Sequence, residues 1–337
     1  MRYLFILVFI SISLIATPFK SVPSDFETLK SIVDDKNNPM TLEKIRLGKK
    51  LFFDKNLSLD RTISCAKCHD LKNGGEDSKP TAIGYKDQEN PSHLNSPTVL
   101  NTAFSKYFFW DARVDSLREQ AGGPMQAHFE MASTKELVVQ RVRENPLYDS
   151  NLSFEDITSA IAVYEKTLVT RGVFDKYLEG DESAISASAK KGMNLFVKIG
   201  CITCHYGIGV GGQDIQKFPL RDYNSILSLT SLYNEKSAKR EFNEIGLNFK
   251  MKHEYPFENK GGFMGKDGSK RFRVPILRNI SKTAPYFHNG VVKTLREAID
   301  IMAVNQVGIK LTKEQLDNIE AFLKSLDGEI VEYNLGI

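Results

Sequence analysis

An apolar run from Tyr3 to Ile15 follows the short basic start Met1-Arg2. Beyond it, hydrophobic positions recur mostly at helical spacing, and strand-like alternation is scarce. Leu29, Ile32 and Val33 predict a helix within residues 25 to 50, interrupted at Pro39. Thr41 suits a helix N-cap and predicts a second helix through Leu47 into Leu51-Phe52-Phe53. Residues 133 to 144 and 153 to 170 read as two amphipathic helices. The second is marked by Ile157, Ile161, Tyr164, Glu165 and Leu168, with Ser153 and Asp156 as a capping pair. Thr294 to Met302 and Thr312 to Leu326 predict two closing helices. Other stretches lack a period. Leu71 to Pro97, rich in Gly, Asp and Pro, predicts a long ordered loop. Gly172 to Ser188 is polar and predicts a connection between domains. Arg221 to Glu258 is polar and receives no element, and Lys260 to Gly268 is glycine-rich. The pattern predicts a mainly α fold.

Chemistry enters at Cys65-Ala66-Lys67-Cys68-His69, which reads C-x-x-C-H, the attachment pattern of a c-type haem. Two thiols one helical turn apart can add to the two haem vinyl groups, and the adjacent histidine can then bind the iron. The pattern recurs at Cys201-Ile202-Thr203-Cys204-His205, and together the copies use all four cysteines. A thioredoxin-like dithiol needs no such histidine, and no βαβ pattern surrounds either copy. A zinc site needs four ligands close together, whereas these pairs lie far apart in sequence. The reading is two covalently bound haem c groups, haem 1 on the first motif and haem 2 on the second, with His69 and His205 as iron ligands.

A weak internal repeat supports two similar units. Gly48-Lys49-Lys50-Leu51-Phe52 precedes the first motif and Gly192-Met193-Asn194-Leu195-Phe196 the second. Gly74-Gly75 and Gly211-Gly212 follow them at similar distances. The expected organisation is a leader over residues 1–20, an N-terminal haem domain over 21–175 and a C-terminal haem domain over 176–337. Each is cytochrome c-like, mainly α and rich in long ordered loops.

The length of 337 residues agrees with two domains. The net charge of +3 includes Arg2 and Lys20, so the remainder is close to neutral, and no basic run suggests nucleic acid. The N-terminal apolar run, at about 13 residues, is short for a membrane span and reads as a secretory signal peptide ending near Ala16. Export to the periplasm agrees with haem motifs that are filled outside the cytoplasmic membrane.

From about Leu47 to Leu326 the chain resembles the bacterial di-haem cytochrome c peroxidases. The resemblance rests on Leu47 to Asp54, Asn95-Ser96-Pro97-Thr98-Val99, Phe109-Trp110-Asp111, Glu119-Gln120-Ala121, Glu130-Met131, Leu277-Arg278-Asn279 and Thr283 to Gly290, in that order. It implies reduction of hydrogen peroxide to water in the periplasm, with electrons from a small c-type cytochrome or similar soluble donor, and a homodimer. It implies Met302 as sixth ligand of haem 2, making that haem the high-potential electron store; Met251 and Met264 are weaker candidates. Glu130 resembles the acid–base residue at the peroxidatic haem 1, and Gln120 a partner that positions peroxide. Trp110 resembles the aromatic between the haems. Asn95, Thr283 and Pro285 resemble positions that bind a Ca²⁺. Taken without the resemblance, Met302 reads as a core methionine and Glu130 as a solvated charge.

One departure from the family pattern is Ile83-Gly84-Tyr85-Lys86, where better-known members carry a histidine that caps the oxidised iron. Tyr85 and His93 are both possible iron ligands on this loop; His93, displaced along it, is the favoured substitute, and the alternative is an uncapped iron with Tyr85 in that place. Two other readings compete with the peroxidase: a non-catalytic di-haem electron carrier, and a related di-haem oxidase that modifies a partner protein. The carrier needs both irons saturated, which Gln120 and Glu130 argue against. The oxidase has tyrosine where this chain has Met302.

Overall fold

The computed structural model describes residues 26–29, 38–220 and 255–331. The expected leader, residues 30–37 of the first expected helix, Met251 and most of the 221–258 stretch lie outside them. The helices are α1 (Leu42–Phe52), α2 (Cys65–Cys68), α3 (Leu117–Gln126), α4 (Lys135–Glu144), α5 (Phe154–Lys166), α6 (Val173–Leu178), α7 (Ala187–Lys198), α8 (Leu295–Met302) and α9 (Lys313–Ser325). Four three-residue strands, β1 (Thr170–Gly172), β2 (Ile215–Lys217), β3 (Arg271–Arg273) and β4 (Gly328–Ile330), form two antiparallel pairs, β1–β4 and β2–β3. The fold is helix-rich with few strands, as the periodicity predicts. Among the described residues no helix is long and apolar enough to cross a membrane.

The capping residues start helices where expected. Thr41 accepts from the Lys44 amide, and Ser153 and Asp156 close a reciprocal capping box on α5. Three expectations need correction. Phe26 to Leu29 are not helical. The helix expected over 153–170 stops at Lys166, because the chain must turn to let Thr170 enter β1. The polar stretch after Gly172 is not a bare connection. It forms α6, whose Phe174 and Tyr177 are buried with Phe26 and Phe322.

Two hydrophobic cores organise the chain. The first joins α1, α3, α4 and α5 around Leu51, Phe52, Met125, Ile157 and Ile161. The second joins α6, α7, α8 and α9 around Phe174, Met193, Phe196, Ile319 and Phe322. In each, one glycine lets two helices cross with their backbones nearly touching. A Cβ on Gly48 of α1 would stand 1.9 Å from the Ala160 carbonyl oxygen of α5. A Cβ on Gly192 of α7 would stand 1.9 Å from the Asn318 oxygen of α9. The two glycines of the weak sequence repeat therefore do the same packing job.

The repeat extends much further than those matches. Asn101 and Asn279 both adopt left-handed backbone, with φ of 61° and 62°. Their amides donate to the oxygens of Leu168 and Leu326, at 2.8 and 3.3 Å. Their Oδ1 atoms accept from the amides of Thr170 and Gly328, at 2.9 and 2.7 Å. Both Nδ2 atoms donate to one hydroxyl, Thr170 Oγ1, at 2.9 and 3.0 Å. The β1–β4 register pairs Thr170 with Ile330, Arg171 with Glu329 and Gly172 with Gly328. A pseudo-two-fold axis thus passes between Arg171 and Glu329. One detail of the sequence repeat shifts: Gly75 and Gly211 donate equivalently, to Asp70 and Tyr206 oxygens at 2.9 Å each. Gly74 therefore corresponds to Val210, which takes the left-handed backbone at φ 49°, and not to Gly211.

Candidate active site

The first haem motif follows α1 and the second follows α7, the two helices that carry the crossing glycines. Cys65 and Cys68 begin and end α2, and the His69 amide closes the turn on Cys65 oxygen at 3.0 Å. The second motif forms one tight turn, with the His205 amide on Cys201 oxygen at 3.0 Å. His69 Nδ1 lies 3.2 Å from the Gly75 carbonyl oxygen. A carbonyl can only accept, so Nδ1 carries the proton and Nε2 keeps its lone pair for iron. The carbonyls of Val210 and Pro275 lie beside His205 Nδ1, which closes a hydrogen bond with neither. Burial holds both imidazoles neutral, lowering His69 and pushing His205 down to about 4. It also pushes the Cys68 and Cys201 thiols up to about 12, opposite to what a reactive dithiol needs. Among the described residues no three His, Cys, Asp or Glu side chains converge to hold a metal ion.

A cavity of about 470 Å³ adjoins the second motif. Its wall includes Cys201, Cys204, His205 and Met302, within a mostly apolar lining such as Phe196, Ile299 and Leu323. Two thiols, an imidazole and a thioether on one apolar cavity fit a covalently held haem. Met302 reaches the wall as the last residue of α8, whose Thr294 cap fixes where the helix begins.

Glu130 lies just beyond α3. Its carbonyl accepts from the Tyr85 amide at 2.7 Å, and its own amide donates to Ala127 oxygen at 2.9 Å. Gly84 lies against the same segment: a Cβ there would be 2.1 Å from Phe129 oxygen and 2.6 Å from Glu130 Cα. The Glu130 charge is among those that disfavour the Cys68 thiolate. Burial raises the Glu130 carboxyl above the usual range, partly offset by the Arg113 guanidinium. Arg113, which the sequence reading missed, lies 3.5 Å over the Phe109 ring and 2.9 Å from Asp111. Its place in Trp110-Asp111-Ala112-Arg113 was the available signal. Gln120 is half-buried on α3.

Trp110 joins the halves. Its Nε1 donates to Asn95 oxygen at 2.8 Å, and its ring lies 6.4 Å from that of His288, edge-on. Asn95, Thr283 and Pro285 line the same cavity as Trp110 and His205. The Asn95 amide side chain donates to Lys79 oxygen at 2.8 Å.

The structure places His93 against the second half. It is buried, with Nδ1 3.4 Å from Glu89 and its Cβ packed on Gly261 of the second half. Lys260 and Glu258 also face it. Tyr85, not His93, is the loop residue bonded to Glu130. The physical reason is the loop's fold: Gly84 fits against residues 129–130, and the chain then carries His93 across to residues 258–261.

Comparison with known proteins agrees with this geometry. The family model described as di-haem cytochrome c peroxidase matches residues 42–183. The chain is 37% identical to a cytochrome c551 peroxidase of Nitrosomonas europaea, over 89% of this chain and 84% of the relative. It is 38% identical to the cytochrome c551 peroxidase of Pseudomonas aeruginosa, over 94% and 87%. Among solved structures it resembles a MauG-like protein associated with microbial copper homeostasis, with a TM-score of 0.70 and 24% identity, covering 91% of this chain and 97% of the other; this likeness speaks to the fold. Two haem motifs behind paired helices, and relatives of this identity over most of both chains, lead to one conclusion: the chain belongs to the di-haem cytochrome c peroxidase family and is an oxidoreductase acting on hydrogen peroxide.

Proposed function

We propose a division of labour in which the first unit reduces peroxide and the second stores and delivers electrons. The half-buried Glu130 carboxyl, raised by desolvation and held by the Tyr85 amide at its own carbonyl, carries this reading. Bound haem supplies the redox centres and the iron to which peroxide binds. Glu130 takes a proton from one peroxide oxygen and returns it to the other, which leaves as water. With two electrons and two further protons, one peroxide gives two waters. Gln120, on the helix that ends just before Glu130, positions peroxide by hydrogen bonding. Trp110 packs between the units and shortens the electron path. His205 and Met302 would both hold the second haem's iron, and small molecules would then be kept from it. The cavity position of Met302 supports this reading over the partner-modifying oxidase.

His93, engaged with Glu89 and Gly261, supports an iron at haem 1 that is uncapped in this conformation. Asn95, Thr283 and Pro285 offer oxygens for a Ca²⁺ where the halves meet. The near-neutral charge fits a small soluble electron donor, a c-type cytochrome or similar protein. The N-terminal apolar run fits delivery to the periplasm, and the family resemblance carries a homodimer with it. The direct test is Glu130→Gln in the haem-loaded protein. Turnover falls by about 10²-fold or more while both haems stay bound. Near-normal turnover removes Glu130 from the mechanism.

A further inference from the structure

The second core contains two deeply buried arginines with opposite surroundings. Arg278 is 1% exposed and paired with Asp175, Nη2 to Oδ1 at 2.9 Å and Nη1 to Oδ2 at 3.1 Å. Its charge is compensated within the fold. Arg273, on β3, is 6% exposed, and its Nε has no hydrogen-bond partner. No carboxylate among the described residues forms an ion pair with it. Burial alone moves its pKa, down to about 10, which still leaves it charged at neutral pH. A buried cation without a partner is costly, and the cost is removed when an anion occupies the adjoining space. Arg273 lines the cavity that holds Cys201, Cys204, His205 and Met302.

We propose that Arg273 is the carboxylate anchor of the second cofactor site, binding a haem 2 propionate through its guanidinium. This rests on the assignment of the cavity to haem 2. A guanidinium presents parallel N–H donors that match a carboxylate. The β2–β3 pairing, with Gln216 opposite Phe272, holds the strand that carries it.

The pseudo-two-fold axis gives the anchor a further consequence. The Arg273 amide donates to Trp110 oxygen at 3.0 Å, and the Asn95 amide donates to His288 oxygen at 2.8 Å. These are equivalent bonds, so Asn95 occupies in the first unit the place of Arg273 in the second. One half carries a neutral amide there and the other a buried cation. A nearby positive charge opposes loss of an electron from iron, so Arg273 raises the potential of haem 2 relative to haem 1. It adds to the effect of Met302 and strengthens the direction in which electrons are stored. Because Arg273 is also bonded to Trp110, the anchored carboxylate and the aromatic between the units are held by one strand.

The test is spectroelectrochemical titration of both haems in the wild type, Arg273→Gln and Arg273→Lys, each fully loaded. Arg273→Gln shifts the haem 2 equilibrium at least tenfold toward the ferric state, 59 mV for one electron, and leaves haem 1 within threefold. Arg273→Lys keeps the charge and recovers at least half of that shift on the logarithmic scale. Low-spin spectra at haem 2 in both variants show that its ligands remain in place. Equal potentials in the wild type and Arg273→Gln overturn the proposal, as does an equal shift at both haems. If Arg273→Gln lacks haem 2 or loses its low-spin spectrum, Arg273→Lys decides: a haem 2 potential more than tenfold displaced toward ferric overturns it. Peroxide turnover separates the two layers of inference. Loss of the anchor with turnover retained leaves the peroxidase reading standing, whereas a wild type inert to peroxide removes that reading and not the anchor.

Discussion

Two carboxyls are taken out of water in the first unit, with different consequences. Glu130 has Arg113 nearby and a raised carboxyl, so its working base form is reached above the usual carboxylate range. The acid limb of the pH profile of kcat/KM therefore falls above that range, and Arg113→Gln moves it higher still. A limb at the ordinary carboxylate position contradicts the assignment. Glu165 on α5 has an unpartnered Oε2, and burial pushes it up to about 8. Its folded pKa exceeds its unfolded one, so it favours folding fully below the unfolded value of about 4.5. That contribution is lost as pH rises through about 8. Glu165→Gln should melt close to wild type at pH ~5 and several degrees higher at pH ~9. Equal melting differences at both pH values would show that Glu165 stays protonated or solvated. His93 gives a third outcome: His93→Gly leaves the electron paramagnetic resonance of ferric haem 1 unchanged. Loss of a low-spin haem 1 signal in that variant restores His93 as the cap.

At the scale of elements, the crossings of α1 on α5 and α7 on α9 depend on single glycines. Gly48→Ala and Gly192→Ala each force a methyl into a carbonyl, so each should cost roughly 1–3 kcal/mol or more in unfolding free energy. Gly48→Ala should loosen the first core and Gly192→Ala the second, which hydrogen exchange resolved by segment can distinguish. The clasp on Thr170 is a different device. One hydroxyl receives amide donors from both halves, so Thr170→Val leaves Asn101 and Asn279 each short of a buried partner. The expected loss is roughly 1–3 kcal/mol for each, with protection lost in β1 and β4 together. Unchanged protection there would show that the strand pairing holds without the clasp. The capped helices were legible because caps and helical spacing act locally. The repeat was legible around the haem motifs, at Gly48 to Phe52 and Gly192 to Phe196 and in the glycine pairs that follow. Several other equivalences join unlike side chains, Trp110 with His288 and Asn95 with Arg273, and what recurs there is backbone conformation; single matches such as Asn101 with Asn279 are too short to stand out. Ser116-Leu117-Arg118-Glu119 and Thr294-Leu295-Arg296-Glu297 carried the one further sequence signal.

Over the whole molecule, the two haem motifs could be read from covalent chemistry, since their spacing is fixed by the cofactor. The surroundings of each site could not, because they come from distant segments: Tyr85 with Glu130, Pro275 with His205, Arg273 with the cavity. Burial also stayed hidden; Glu165 looked like one more marker of helical spacing, and the fold leaves it 5% exposed. The assembled molecule places a thioether site and a carboxyl site in separate halves. Met302→His should accordingly lower the haem 2 potential strongly, because a thioether favours ferrous iron more than a second imidazole does. An unchanged potential would count against Met302 as ligand. The central claim is tested most directly by counting electrons. Both haems are reduced without oxygen, the reductant is removed, and peroxide is added in substoichiometric steps while the ferrous bands are followed. The account predicts that one peroxide oxidises both haems of one chain, with the end point at one peroxide per protein. Ferrous bands that persist through an excess of peroxide would contradict it and leave an electron carrier in place of a peroxidase.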